Sequence, residues 1–211
     1  MFGKWFKKEQ EKARSLSRPN DLKAGDMMQM IDSFSLPPQL KNQMLTVKEV
    51  NTYQYEYENE FEIVLQNSEG ETLFLVITRE DSEEQLAFSM KISRDQVDEL
   101  FTLDQFALIF DTDDMVTLET KGSIKGFERW IAESYIQDAA PNGGYYLKGD
   151  YRNRHISKYV EDGGERFDYI GLLSPDEEHA LNIEIWDDGE TDVSLTLIRP
   201  LTDIADLYPG K

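Results

Sequence analysis

Tyr53-Gln54-Tyr55-Glu56-Tyr57-Glu58-Asn59-Glu60-Phe61-Glu62-Ile63-Val64-Leu65 alternates bulky apolar side chains with acidic or amide ones. Tyr53, Tyr55, Tyr57, Phe61, Ile63 and Leu65 fall on one face of an extended chain, and Gln54, Glu56, Glu58, Glu60 and Glu62 on the other. A period of two over this length predicts one long strand of an antiparallel sheet. Its apolar face would lie on a core and its acidic face in water.

The neighbouring segments extend the same reading. Ser68-Glu69-Gly70 turns the chain into a strand over 72–78, and a third strand places Leu86, Phe88, Met90 and Ile92 on one face and Gln85, Ala87, Ser89 and Lys91 on the other. Ser93 with Gln96 three residues on is a capping box, opening a short helix striped by Val97, Leu100 and Phe101. Thr102 and Gln105 repeat the device for a helix striped by Leu103, Phe106, Ala107 and Phe110. The C-terminal part repeats the order: a strand over 167–173, the turn Ser174-Pro175-Asp176, then a strand with Leu181, Ile183 and Ile185 inward. Asp188-Gly189 signals a hairpin into Val193, Leu195 and Leu197, and Pro200 opens a closing helix carrying Leu201, Ile204 and Leu207.

Phe61 and Leu65 match Tyr169 and Leu173 at an offset of 108, as Leu73, Leu75 and Ile77 match Leu181, Ile183 and Ile185. Leu86, Phe88 and Met90 match Val193, Leu195 and Leu197 at 107. The fold class expected is α+β, mainly antiparallel sheet with short helices, with similar β-β-β-α halves over roughly 44–111 and 145–211. Two unrelated meanders would produce the same alternation, so duplication stays open. The stretch 126–138 fits a helix through Phe127, Trp130, Ile131 and Tyr135, and a strand by its aromatic and β-branched content.

The 211 residues carry 42 Asp and Glu against 22 Lys and Arg, a formal charge of −20, and no Cys. Disulfides, thiolate metal sites and a cysteine nucleophile are excluded. Phosphate repulsion argues against nucleic acid. The longest apolar runs, 73–77 and 106–110, are too short to cross a bilayer.

The charge is uneven. Residues 1–18 hold six basic and two acidic side chains, a balance of +4, so the body over 19–211 holds 16 basic and 40 acidic, a balance of −24. On a helical wheel Phe2, Trp5 and Phe6 lie opposite Lys4, Lys7 and Lys8. This amphipathic head suits docking on a protein partner or an anionic membrane surface. Within the body, Arg152, Arg154 and Lys158 form the basic cluster, either a counter-charge stripe or an anion-binding pocket. His155 and His179 lack metal-site spacing, the Asp-rich turns at 111–114 and 187–192 do not match a calcium loop, and no phosphate loop or nucleophile motif occurs. The motifs select no catalytic residue, metal or cofactor.

The opening Met1-Phe2-Gly3-Lys4-Trp5-Phe6-Lys7-Lys8, then Leu22-Lys23-Ala24-Gly25-Asp26, Val47-Lys48-Glu49-Val50-Asn51-Thr52-Tyr53 and Ile185-Trp186-Asp187-Asp188-Gly189-Glu190-Thr191 resemble the YjfK-like family of uncharacterised bacterial proteins. The resemblance implies a cytoplasmic protein, peripheral at the inner membrane if the head docks there. It also implies an accessory role in envelope or membrane stress. Two functions are therefore expected. The first is a non-enzymatic adaptor working through its head. The alternative is a ligand-binding protein or enzyme with a cleft between its halves, acidic walls there suiting a polyamine or other cation and the arginines an anion.

Overall fold

A computed structural model describes residues 14–80, 83–111, 115–137, 141–156 and 164–210. The strands are β1 (Met27–Met30), β2 (Met44–Gln54), β3 (Asn59–Gln66), β4 (Thr72–Glu80), β5 (Glu83–Ile92), β6 (Thr117–Glu119), β7 (Ser134–Gln137), β8 (Asn142–Leu147), β9 (Glu165–Leu173), β10 (His179–Trp186), β11 (Thr191–Pro200) and β12 (Ile204–Tyr208). Two helices, α1 (Arg94–Leu100) and α2 (Leu103–Asp111), follow β5. Among the described residues strand makes up 48% and helix, 3-10 turns included, 12%, so the expected α+β class is corrected to a mostly β protein built on a closed eight-stranded barrel.

The ring runs β2-β3-β4-β5-β11-β10-β9-β8 and returns to β2, every pair antiparallel. It consists of two four-stranded meanders joined at β5–β11 and at β2–β8. The remaining strands extend the free edges: β1 pairs with the start of β2 and carries β12, while β7 pairs with the end of β9 and carries β6. Closure leaves few ladder groups unpaired, which an open sheet would expose.

The stretch 53–65 is not one strand. It turns between β2 and β3, where the Tyr55 amide donates to the Glu58 carbonyl at 2.9 Å and Tyr57 stands at the tip, 87% exposed. Among the described residues, positive φ outside glycine occurs only at Asn42 and Glu177. Glu56 and Tyr57 therefore turn at ordinary φ, and no glycine marks the place. The turn exchanges the faces: Tyr53 pairs with Glu60 and Asn51 with Glu62, and directly paired residues share a face. The tyrosines before the turn thus lie beside the glutamates after it.

On the outer face, Leu73, Leu75, Leu86, Phe88, Leu181, Ile183 and Leu195 join one hydrophobic cluster with Leu100, Phe101, Trp130 and Tyr135. Burying each such side chain stabilises the fold by about 1.5–3 kcal/mol. The capping box of α1 forms as expected, with Ser93 Oγ accepting from the Gln96 amide and Gln96 Oε1 from the Ser93 amide. The stripe expected for α2 is displaced. Phe106 and Ile109 face the core, whereas Leu103 and Phe110 are exposed.

The expected closing helix is absent. Leu201–Asp203 makes a single 3-10 turn and the chain continues as β12, which pairs with β1. A free edge on β1 outweighs the helical spacing of Leu201, Ile204 and Leu207. The described part of the stretch 126–138, residues 126–137, forms turns and then β7, with the Trp130 indole N–H donating to Gln39 Oε1 at 3.1 Å. The two meanders also differ in detail. Leu75 faces Phe88, but Ile183 faces Val193 rather than Leu195, the residue matched to Phe88, a slide of two residues. Phe61 and Leu65 lie on the outer face, while Tyr169 and Leu173 face the interior.

Candidate functional site

Alternate residues of all eight ring strands point into the barrel and enclose a cavity of about 380 Å³. Tyr53 comes from β2, Glu60 and Glu62 from β3, Phe74 from β4, Lys91 from β5, Thr196 from β11, Glu184 from β10, Tyr169 from β9 and Asn142 from β8. The pleat sends every second side chain inward, so the space is set by what those positions carry. Ala87, Ser89, Gly171, Ala180 and Ser194 are small and leave the room that a row of leucines would fill.

One arc of the wall is a polar chain that satisfies itself. The Tyr169 hydroxyl donates to Asn182 Oδ1 at 2.9 Å, Asn182 Nδ2 donates to Thr196 Oγ1 at 2.9 Å, and Ser89 Oγ meets Thr196 Oγ1 at 2.7 Å. Another arc is aromatic. Tyr53 stands edge-on to Phe167 and Tyr146, with centroids 5.2 and 5.3 Å away, and Trp186 packs on both Phe167 and Tyr146. Gly144 makes this arc possible. A Cβ there would lie 2.6 Å from the Gln54 carbonyl oxygen and 3.1 Å from the Phe167 ring.

The charges are held differently. Glu62 is 9% exposed, and its carboxylate accepts long hydrogen bonds from Asn51 Nδ2 and the Tyr53 hydroxyl, both 3.4 Å. Glu184, on β10 across the barrel from β2, also acts on the Tyr53 hydroxyl and helps raise it. Burial, reinforced by Glu184, pushes the Glu62 carboxyl up to about 7, against the opposing pull of Asn51, Lys91 and Tyr53. Burial and then Glu58 push Glu60 up to about 7, and burial raises Glu184. Burial also raises the phenols of Tyr53 and Tyr55 and takes Tyr146 up to about 12. The cation at this wall, Lys91, sits 2.6 Å from Asp192 and 5.3 Å from the Phe74 ring centroid. Among the described residues, Glu60, Glu62 and Glu184 form no ion pair. Nor does any group of three or more His, Cys, Asp or Glu among them lie close enough to hold a metal ion.

The sequence-derived candidates lie elsewhere. Phe2, Lys4, Trp5, Phe6, Lys7, Lys8 and Lys158 fall outside the described residues. Arg152 donates to the Asp150 carboxylate and to the carbonyls of Asn20 and Leu22, which fastens the root of the head to the body. Arg154 stands over the Tyr151 ring at 5.4 Å. The Asp-rich stretch 187–192 is the β10–β11 turn, with Gly189 at φ 88° and Asp188 accepting from the Glu190 amide. No described helix is long and apolar enough to cross a membrane.

The interior carboxylates Glu60, Glu62 and Glu184 were missed because each alternates with apolar residues and so reads as a wet face. A signal was present in the small side chains Ala87, Ser89, Ser194 and Thr196, which suit a lumen better than open water. Comparison with family models, curated proteins and solved structures found no match to the chain, so the YjfK-like resemblance rests on the quoted residues alone.

Proposed function

We propose that this protein binds a small organic cation inside its barrel. The observation that carries the reading is the buried Glu62 with the half-buried Glu60 and Glu184, none of them ion-paired among the described residues, facing one aromatic-walled cavity whose Lys91 is already paired with Asp192. Burying a carboxylate is costly unless a charge partner compensates, so such groups are normally paired. An ammonium ligand would supply the partner, and the faces of Tyr53 and Phe74 would add cation–π attraction. The cavity of about 380 Å³ has the size of a small-molecule site. No group of three or more His, Cys, Asp or Glu among the described residues is placed to hold a metal ion, and the aromatic wall suits an organic cation.

The test is calorimetric titration of the full chain with n-butylammonium at about pH 8, above the raised values of Glu60 and Glu62. One saturable site is expected, weakened about tenfold or more by Glu62→Gln and by Glu184→Gln. No binding, or binding indifferent to both substitutions, would refute the proposal.

A second reading concerns the head. Arg14 bonds the buried Asp26 carboxylate, and Arg152 grips the Asn20 and Leu22 carbonyls. A head anchored at its root supports the adaptor role, with residues 1–13 docking on a partner or on anionic lipid at the inner membrane. Vesicle flotation with and without those residues tests it, and equal flotation would end it.

A further inference from the structure

The proposed cation site is one of two chambers. The inner one opens toward the end of the barrel that carries the Tyr55–Glu58 turn. A second, of about 280 Å³, lies toward the β10–β11 turn, where Glu165, Asp188 and Glu190 line it with Tyr146 and Trp186. The chambers share Tyr53, Glu62, Phe74 and Lys91, so they meet at a waist along the barrel axis.

At the waist, Lys91 is occupied by Asp192, which also accepts from the Trp186 indole N–H at 3.1 Å. In the outer chamber, Glu165, Asp188 and Glu190 are exposed at its mouth and form no ion pair among the described residues. Carboxylates lacking a counter-cation therefore stand on both sides of a waist that already holds one. Glu184, on the strand part of β10, lines only the inner chamber, and Asp188, in the turn past its end, lines only the outer one. One compact ammonium cannot serve both groups.

Building on the cation reading, we propose that the ligand is elongated and dicationic, an alkyl α,ω-diamine threaded along the barrel axis. One ammonium lies against Glu62 and Glu184, and the other against Glu165, Asp188 and Glu190. The methylenes between them cross the rings of Tyr53 and Phe74. Lys91 repels a third charge at the waist, so an uncharged middle is preferred to a protonated secondary amine there.

The experiment titrates the full chain, at physiological ionic strength, with a series of α,ω-diamines and the matching monoamines. It is repeated on Asp188→Asn/Glu190→Gln, on Glu62→Gln, and on Asp98→Asn, a change on α1 remote from the barrel interior. Affinity should pass through a maximum with chain length, the best diamine binding about tenfold or more tighter than its monoamine. The outer double substitution should remove about that tenfold from the diamine and leave the monoamine within about twofold. Glu62→Gln should weaken both. A diamine no tighter than its monoamine, or an outer substitution that affects both alike, would overturn the elongated ligand while leaving the interior cation site standing. An Asp98→Asn effect as large as that of the outer pair would also overturn it, because diffuse attraction to an acidic surface would then suffice. No binding by any amine would overturn both proposals.

Discussion

Replacing Glu62 by Gln should stabilise this protein in alkaline solution and do little in acid. In the folded chain the Glu62 carboxyl is raised from 4.5 to about 7, chiefly by burial. Below the unfolded value the group is protonated in both states and contributes no pH dependence. Between the two values the folded protein keeps a proton that the unfolded chain has released, so stability falls as pH rises and levels off above about 7. A difference of about 2.5 units at 1.36 kcal/mol per unit gives a loss of about 3 kcal/mol. The substituted amide cannot ionise and escapes that loss. Urea denaturation should show the variant within about 1 kcal/mol of wild type near pH 5, and about 2–3 kcal/mol more stable near pH 8. Glu60 titrates in both proteins and largely cancels in the difference, while the repulsion between Glu62 and Glu184 is already part of the rise of Glu62 to about 7. An equal stability difference at both pH values would refute the assignment of a raised carboxyl to this position. A substitution that stabilises the empty fold while weakening amine binding would mark Glu62 as kept for a ligand rather than for the fold.

Three more outcomes follow from the same geometry. Gly144→Ala should lower the midpoint of thermal unfolding, because its methyl meets the Gln54 carbonyl and the Phe167 ring. The expected cost is about 1–3 kcal/mol, and an unchanged midpoint would show that the aromatic arc yields freely. Phe88→Ala, at a position with no exposure, should destabilise by about 3–5 kcal/mol in urea, and a cost below about 1 kcal/mol would contradict the outer core. Amine affinity should rise between about pH 5 and pH 8 as the interior carboxyls lose their protons, and binding near pH 6 should release protons, read as a buffer-dependent heat. A pH-independent affinity would count against ionised interior carboxylates as the contact.

Some features of the fold are visible in short-range spacing. The capping box Ser93–Gln96, the Asp188-Gly189 turn and the outer faces of β4, β5, β10 and β11 each depend on residues a few positions apart. Local hydrogen bonding and the pleat decide them. Where longer-range pairing intervenes, the local reading fails. Leu201, Ile204 and Leu207 have helical spacing, yet they follow a 3-10 turn into a strand because β1 offers an open edge. Leu103 and Phe110 fit an apolar stripe on α2, but the core meets that helix at Phe106 and Ile109.

The stretch 53–65 draws the boundary between the two kinds of information. Its alternation by itself determined that this part of the chain is extended, with aromatic and acidic residues on opposite faces of each strand. Only the tertiary structure decided which face is wet. A turn at Glu56 and Tyr57, made at ordinary φ and so without a marker residue, shifts the pairing and brings Tyr53 beside Glu60. Ring closure through β8 then makes that shared face the inside of a barrel. An alternating strand specifies two faces but cannot say which lies on the concave side, because curvature belongs to the closed sheet and to none of its strands.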